Sequence, residues 1–388
     1  MENLEAYTPK TKERLYYIDW LRVLAFGLLF VFHAARFFDI YPWHLKNATH
    51  SEFVNVFVGF THGWRMPLIF FISGVGTFFA LKSRKELFVK DRFKRLIVPF
   101  IFGAIILIPP QKYLEAITNG WFEGSFFEFL KNYPSWLLIN RPGVNLSWTG
   151  HVGYHIWYLA FLFIMTLFSF PLLKALTKNN TVTKLLDSMA SVKYGIFLFI
   201  LLILLFEISL KPYFPGYLDW ADFFIYGMYF IIGYVFMTQR KFTELARKHT
   251  FIFLNIGILI TAITAYVKSN FPELDPNNSL SLALMWAVVS CIGTYSWVMF
   301  LFGLSQRKLN FNHKLLNSLN VGILPFYILH QTVIIAIGYY IIKMDLNIFS
   351  KFSIILSLSL AITIGLYQII RRIKFLRTLF GMKNRIRL

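Results

Sequence analysis

Hydrophobic residues fall along this chain in ten long runs, near 17–39, 58–81, 96–111, 153–173, 194–210, 220–238, 250–267, 281–304, 320–342 and 352–370, with short polar or basic stretches between them. Most of these runs are close to the roughly 20 residues that an α-helix needs to cross about 30 Å of hydrocarbon. In lipid the backbone must hydrogen-bond to itself, so such runs are read as helices. The pattern predicts an all-α polytopic membrane protein with about ten transmembrane helices, the second of them compatible with an interfacial start around Phe53. Residues 1–388 read as a single membrane-embedded domain, with spans over about 17–370, an outer connection over 112–150 and a basic tail over 371–388. The outer connection carries Pro134, Pro142, aromatics and Glu115, Glu123 and Glu128, and is expected to pack as a cap. Internal repeats and low-complexity tracts are absent.

Charge then orients the spans. Counted by alternate sides, 28 of the 39 Lys and Arg fall on one side and eight on the other, while Arg22, Arg36 and Arg65 lie within or beside spans. Cytoplasmic loops collect lysine and arginine, so both termini are expected in the cytoplasm of a cell that holds this protein in its inner membrane. Composition agrees, with 57% hydrophobic, 19% aromatic and only 15% charged residues. The net charge of +20 sits in short loops, where topology and anionic membrane lipids account for it without nucleic acid. A single cysteine, Cys291, excludes a disulfide framework within the chain. The first run contains Asp19 and Arg22 and is followed by no small-residue cleavage site, so it reads as a retained span.

That first run is where chemistry concentrates. Arg22 and His33 are eleven residues apart, almost three whole turns, which places both on one helical face with Phe26 and Leu29 between them. The rise separates them by roughly 16 Å, one near a membrane surface and one well inside. Ionisable groups at membrane depth are costly and mark functional sites, although a snorkelling arginine or a packed histidine is the competing reading. His330 falls near mid-depth of the ninth run. His62 and Arg65 open the second, and His151 and His155 lead into the fourth; each singly is also compatible with an interfacial anchor. On the cytoplasmic side, Lys82, Ser83, Arg84 and Lys85 precede Arg92 and Arg95, which are three apart and suited to gripping a phosphate or to lining a lipid surface. His151 and His155 lack a third ligand at metal spacing, so no metal is expected. A basic cytoplasmic mouth, a buried histidine and a polar outer pocket fit an acyl-CoA donor, phosphates at the mouth and thioester deep, with the acceptor arriving from outside.

The stretch Arg14-Leu-Tyr-Tyr-Ile-Asp-Trp-Leu-Arg22, with His33 beyond it, resembles the opening of the acyltransferase 3 family of integral membrane acyltransferases. Trp64-Arg-Met-Pro-Leu-Ile-Phe-Phe-Ile-Ser-Gly74, Arg92-x-x-Arg95-Leu-x-x-Pro99, His155-Ile-Trp-Tyr-Leu159 and Pro325-Phe-Tyr-Ile-Leu-His330-Gln are similar to later marks of that family, in the same order. The Trp-Arg-Met-Pro form looks most like its stand-alone branch, which contains the osmoregulated periplasmic glucan succinyltransferase. An ending about sixteen residues past the last span, without a hydrolase-like appendage, tells against direct transfer to peptidoglycan.

The resemblance implies a membrane O-acyltransferase that moves an acyl group, succinyl and acetyl being candidates, from cytoplasmic acyl-CoA to a hydroxyl of an extracytoplasmic glycan. It implies that His33 is the catalytic histidine with His330 beside it, and that Arg22, Arg92 and Arg95 hold the donor where Ser73 and Trp157 shape the site. Arg65, His62, His155 and Asp19 are the expected substrate-facing residues, with Arg65 suited to the far carboxylate of a succinyl group. A transporter or flippase of a glycan or lipid-linked intermediate is the alternative.

Overall fold

A computed structural model describes residues 14–83, 87–139, 146–276 and 278–382. Arg84, Lys85, Arg141 and Pro142 lie outside the described residues. Regular structure here is entirely helical, as expected where each peptide group must find its partner along its own segment. In chain order the membrane-length helices are α1 (Tyr16–Ala35), α2 (Glu52–Ser83), α3 (Phe88–Thr118) and, after the outer helix α4 (Phe126–Ile139), α5 (Trp148–Thr177). Then come α6 (Asn180–Ser191), α7 (Leu198–Leu210), α8 (Trp220–Thr238), α9 (Arg240–Lys248), α10 (Thr250–Asn270), α11 (Leu280–Lys308), α12 (Lys314–Ile341), α13 (Ile348–Ile370) and the short α14 (Lys374–Leu379).

Nine of these helices are long and apolar enough to span a bilayer among the described residues. A tenth is reached where the fifth run was expected, because α6 and the helical segment Gly195–Leu210 form one pair bent by 119°. The protein is a polytopic, all-α membrane protein. Asn179 starts α6 by accepting hydrogen bonds from the Thr181 and Val182 amides.

Apolar periodicity places the middle of a span better than its ends. α2 is one continuous helix of 32 residues, beginning at Glu52 with Phe53 almost fully exposed. α3 extends the expected 96–111 run in both directions, with a widened π-type turn at Phe93–Ile97 and a further break at Leu107 ahead of Pro109 and Pro110. α4 packs back on the end of α3 through Ala116, Phe129 and Tyr133.

The most buried helices are α8, α2 and α12, whereas α10 and α13 are the most peripheral. α2 and α8 approach so closely that their backbones touch. A Cβ at Gly74 would stand 1.8 Å from the Phe230 carbonyl oxygen, and one at Gly233 would stand 2.0 Å from the Phe71 carbonyl oxygen. Such reciprocal small-residue contacts are how helices associate where lipid removes the hydrophobic drive between them. This crossing fixes the middle of α2, and with it Arg65, Ser73 and Thr77, against the rest of the bundle.

Candidate active site

α1 and α2 pack against each other, and they run in opposite directions. The start of α1 therefore meets the end of α2, and the end of α1 meets its beginning, which divides the candidate residues between two ends of one helix pair.

At the first end Arg22 lies against Gly76, where a side chain would come within 3.2 Å of its guanidinium. An Arg92 nitrogen donates to Thr77 Oγ1 at 2.6 Å, and its guanidinium sits over the Phe88 ring at 5.2 Å. The widened turn of α3 begins just after Arg92 and contains Arg95; insertions of this kind are frequent at functional sites. Arg22, Arg92 and Arg95 all act electrostatically on one hydroxyl, that of Tyr158 in α5. Among the described residues none of the three is in a salt bridge. Tyr158 is in turn 2.5 Å from Ser73 Oγ. Ser73 donates to the Ile69 carbonyl at 2.7 Å, so Tyr158 is the donor between the two hydroxyls. Asp19, one turn before Arg22 on α1, is bonded by Arg14 Nε at 2.6 Å.

At the second end three imidazoles converge. His33, in the last turn of α1, has its ring centre 5.0 Å from that of His330 in α12. His330 is 5.0 Å from His155 on the tight turn within α5. His330 Nδ1 donates to the Tyr327 carbonyl at 2.5 Å and His155 Nε2 to the Ile328 carbonyl at 3.0 Å, since a carbonyl only accepts. The Tyr327 hydroxyl donates to the His155 carbonyl, so α12 and the turn are tied together twice. Each ring keeps one buried nitrogen without a protein partner: Nδ1 of His33, Nδ1 of His155 and Nε2 of His330.

Arg65 lies beside them, 5% exposed, with its guanidinium carbon 3.4 Å from the centre of the Phe32 ring. Its Nε and one terminal nitrogen are buried and unpartnered. A desolvated cation with unused donors is a site waiting for an anion. His62, one turn earlier in α2, is exposed, with its ring 6.4 Å from Phe32 and 6.3 Å from Tyr217.

A cavity of about 50 Å³ lies at the second end and reaches as far as Tyr158. His33, Arg65, His155 and Trp157 line it with Phe26, Leu29, Met66, Ile69, Tyr158, Tyr217 and Tyr327. It has room for a reacting group rather than a whole ligand. One wall is Tyr158, which faces the three arginines, while Tyr217 lines the cavity and is also 55% exposed. The cavity is thus walled by Tyr158 on one side and bordered by the partly exposed Tyr217, with His33 and His155 also in its lining. Among the described residues no three His, Cys, Asp or Glu side chains converge as metal ligands.

The structure thus brings His33, His330, His155, Arg65 and Trp157 together, sets Arg22, Arg92, Arg95 and Ser73 beyond Tyr158, leaves His62 exposed beside Tyr217, and keeps Asp19 one turn from Arg22, bonded by Arg14. Reading the sequence alone misses Tyr158, Tyr217 and Tyr327. Two of them carried a signal: Tyr158 follows Trp157 directly, and Tyr327 stands three residues before His330, on the same helical face.

A polytopic helical bundle with arginines on one side of a buried histidine cavity defines a membrane-embedded transferase frame, and the sequence profile described as Acyltransferase domain matches residues 15–368. The chain belongs to the acyltransferase 3 family. Over 380 residues, 95% of each chain, it is 23% identical to the glucans biosynthesis protein C of Salmonella paratyphi A, and equally to that of Salmonella agona. No solved structure matches it.

Proposed function

We propose that this protein transfers an acyl group from acyl-CoA, bound at the arginine end, to a hydroxyl of an extracytoplasmic glycan that enters at the His33 end. Both termini then face the cytoplasm and the protein sits in the inner membrane, as the lysine and arginine distribution favours. One observation carries the reading. The cavity holding His33 is walled by Tyr158 toward Arg22, Arg92 and Arg95, and opens at Tyr217 on the other side.

In this reading Arg22, Arg92 and Arg95 hold the donor phosphates by charge-assisted hydrogen bonds. The thioester carbonyl reaches the cavity past Ser73 and Trp157. His33 takes the proton of the acceptor hydroxyl as its oxygen bonds to the thioester carbon. The tetrahedral adduct then collapses by breaking the carbon–sulfur bond, and coenzyme A leaves as the thiolate and recovers a proton. A positioned base of this kind is worth about 10² to 10⁴ in rate. His330 and His155, each with its other nitrogen committed to a carbonyl, remain neutral acceptors that orient the hydroxyl. Arg65, its Nε and one terminal nitrogen unpartnered beside His33, suits an acyl group with a distal carboxylate, of which succinyl is one example. The glucan-related names of the relatives favour a glucan as acceptor.

The test is to incubate purified protein with a panel of acyl-CoA thioesters and a glucan, following free thiol release and acylated glucan together. His33→Ala should lose at least about 10²-fold in transfer while remaining a folded membrane protein. Transfer that survives this substitution removes the mechanism. Thiol release without acylated glucan removes the acceptor.

A further inference from the structure

We infer that Tyr217 is a stacking platform for a sugar ring of the acceptor, forming with His62 a carbohydrate subsite at the mouth of the histidine cavity. The inference rests on the acyltransferase reading and adds where the glycan is held. Tyr217 lines the cavity and is 55% exposed, so its ring stands at the opening rather than on its floor. It lies 6.2 Å from Trp157 and 6.3 Å from His62, ring centre to ring centre.

The backbone beside it is held in an uncommon shape. Leu218 has φ +61°, a left-handed conformation unfavourable for a bulky side chain, and such strain persists only where the surroundings enforce it. Three contacts enforce it here. The Leu218 side chain is 2% exposed and fills the space that Gly150 leaves open, where a Cβ would come within 2.5 Å of it. The Leu218 amide donates to Asp222 Oδ2 at 2.8 Å, and Lys211 Nζ holds the other oxygen of Asp222 at 2.6 Å. Asp219 Oδ1 accepts from the Trp220 amide at 2.8 Å, which fixes the start of α8 immediately after.

Leu218 is thereby pinned inward, and its neighbour Tyr217 is left with a partly exposed flat ring at the rim of the histidine cavity. A sugar presents an apolar face of C–H bonds and an edge of hydroxyls. An exposed tyrosine face with an imidazole beside it and a guanidinium below offers partners for both. Tyr213, on the same connection and 79% exposed, does not line the cavity, and so serves as a control for an aromatic that merely anchors the loop at the interface.

The experiment uses the full chain in lipid nanodiscs, with initial rates of acyl transfer to glucan and calorimetric binding of a glucose oligosaccharide in the absence of donor. Tyr217→Leu keeps apolar bulk without a flat face, and Tyr217→Phe keeps the face. The leucine variant should raise the KM for glucan roughly tenfold and weaken oligosaccharide binding in parallel, leaving the KM for acyl-CoA within about twofold. The phenylalanine variant should recover both glucan parameters, and Tyr213→Leu should move neither. An unchanged glucan KM in Tyr217→Leu, an equal effect from Tyr213→Leu, or a wild-type protein that binds no oligosaccharide would overturn the platform. Tyr217-dependent oligosaccharide binding without acyl transfer would keep the platform and remove the enzymatic reading instead.

Discussion

Replacing Arg65 by methionine separates a ligand-binding cation from a structural one, because the two roles move stability and selectivity in opposite directions. The Arg65 guanidinium is buried in the bundle with two nitrogens unpartnered, and its nearest compensation is the Phe32 ring at 3.4 Å. A buried ion costs several kcal/mol in lost hydration, on the order of 5, whereas a desolvated cation–π contact returns about 2. The charge therefore costs the empty protein a net of about 3 kcal/mol, and Arg65→Met should raise Tm. With a carboxylate in place the balance reverses. Removing one partner of a buried, hydrogen-bonded charge pair costs on the order of 2–5 kcal/mol. At about 1.4 kcal/mol per tenfold, the preference in kcat/KM for a succinyl over a butyryl thioester should fall by roughly 30-fold at least, and by more than 10³-fold at the upper end. The assay is thiol release with both thioesters, paired with thermal unfolding of the ligand-free protein. Equal losses on the two thioesters, together with a lower Tm, would show that Arg65 supports the fold and reads no carboxylate.

Two further outcomes test the frame around the cavity. Arg92→Gln combined with Arg95→Gln should raise the KM for acyl-CoA by roughly tenfold or more while leaving the KM for glucan in place, since charge-assisted bonds are about twice as strong as neutral ones; an unchanged donor KM would assign both arginines to lipid headgroups. Gly74→Ala puts a methyl group 1.8 Å from the Phe230 carbonyl oxygen, and the backbone there has no rotamer with which to yield. Its cost should exceed the about 1–3 kcal/mol typical of overpacked cores, read as a lower Tm and loss of all transfer together, whereas Gly27→Ala, with nothing within 4 Å of the added carbon, should leave Tm near that of the parent protein.

Span number, span order and the Arg22–His33 face were all legible in the sequence, because a bilayer imposes length and burial on each apolar run and helical periodicity does the rest. Detail inside the runs was less so. Helices that are apolar all round carry no amphipathic stripe to say which neighbour they meet, so nothing in α2 or α8 announced that Gly74 and Gly233 would bring two backbones into contact. The bend between α6 and the helix that follows was hidden by the same uniformity. Asp19 looked like a partner for the buried chemistry because it shares a helix with Arg22, yet Arg14, five residues earlier, folds over it. Tyr217 was illegible for a different reason. Its position depends on the left-handed Leu218, and that conformation depends on Gly150, Lys211 and Asp222, contacts made only once three segments have met.

The tyrosines also show how, in the proposed reaction, one small cavity could serve two compartments without becoming a channel. Tyr158 gives its proton to Ser73 and lies within the electrostatic reach of Arg22, Arg92 and Arg95. Ser73 cannot take over as donor without giving up the Ile69 carbonyl, so the wall is held by a chain of bonds rather than by a single contact. A hydroxyl wall of this kind is polar enough to border a thioester and closed enough to exclude the bulk of a coenzyme. A cavity of about 50 Å³ has room for an acyl group and one hydroxyl-bearing edge of an acceptor, not for the body of either proposed substrate. In the proposed reaction, transfer at the meeting point of two such restricted entries would move the acyl group across the protein while the bodies of both substrates stayed where they bound, a task that the division of the candidate residues between the two ends of α1 and α2 suits.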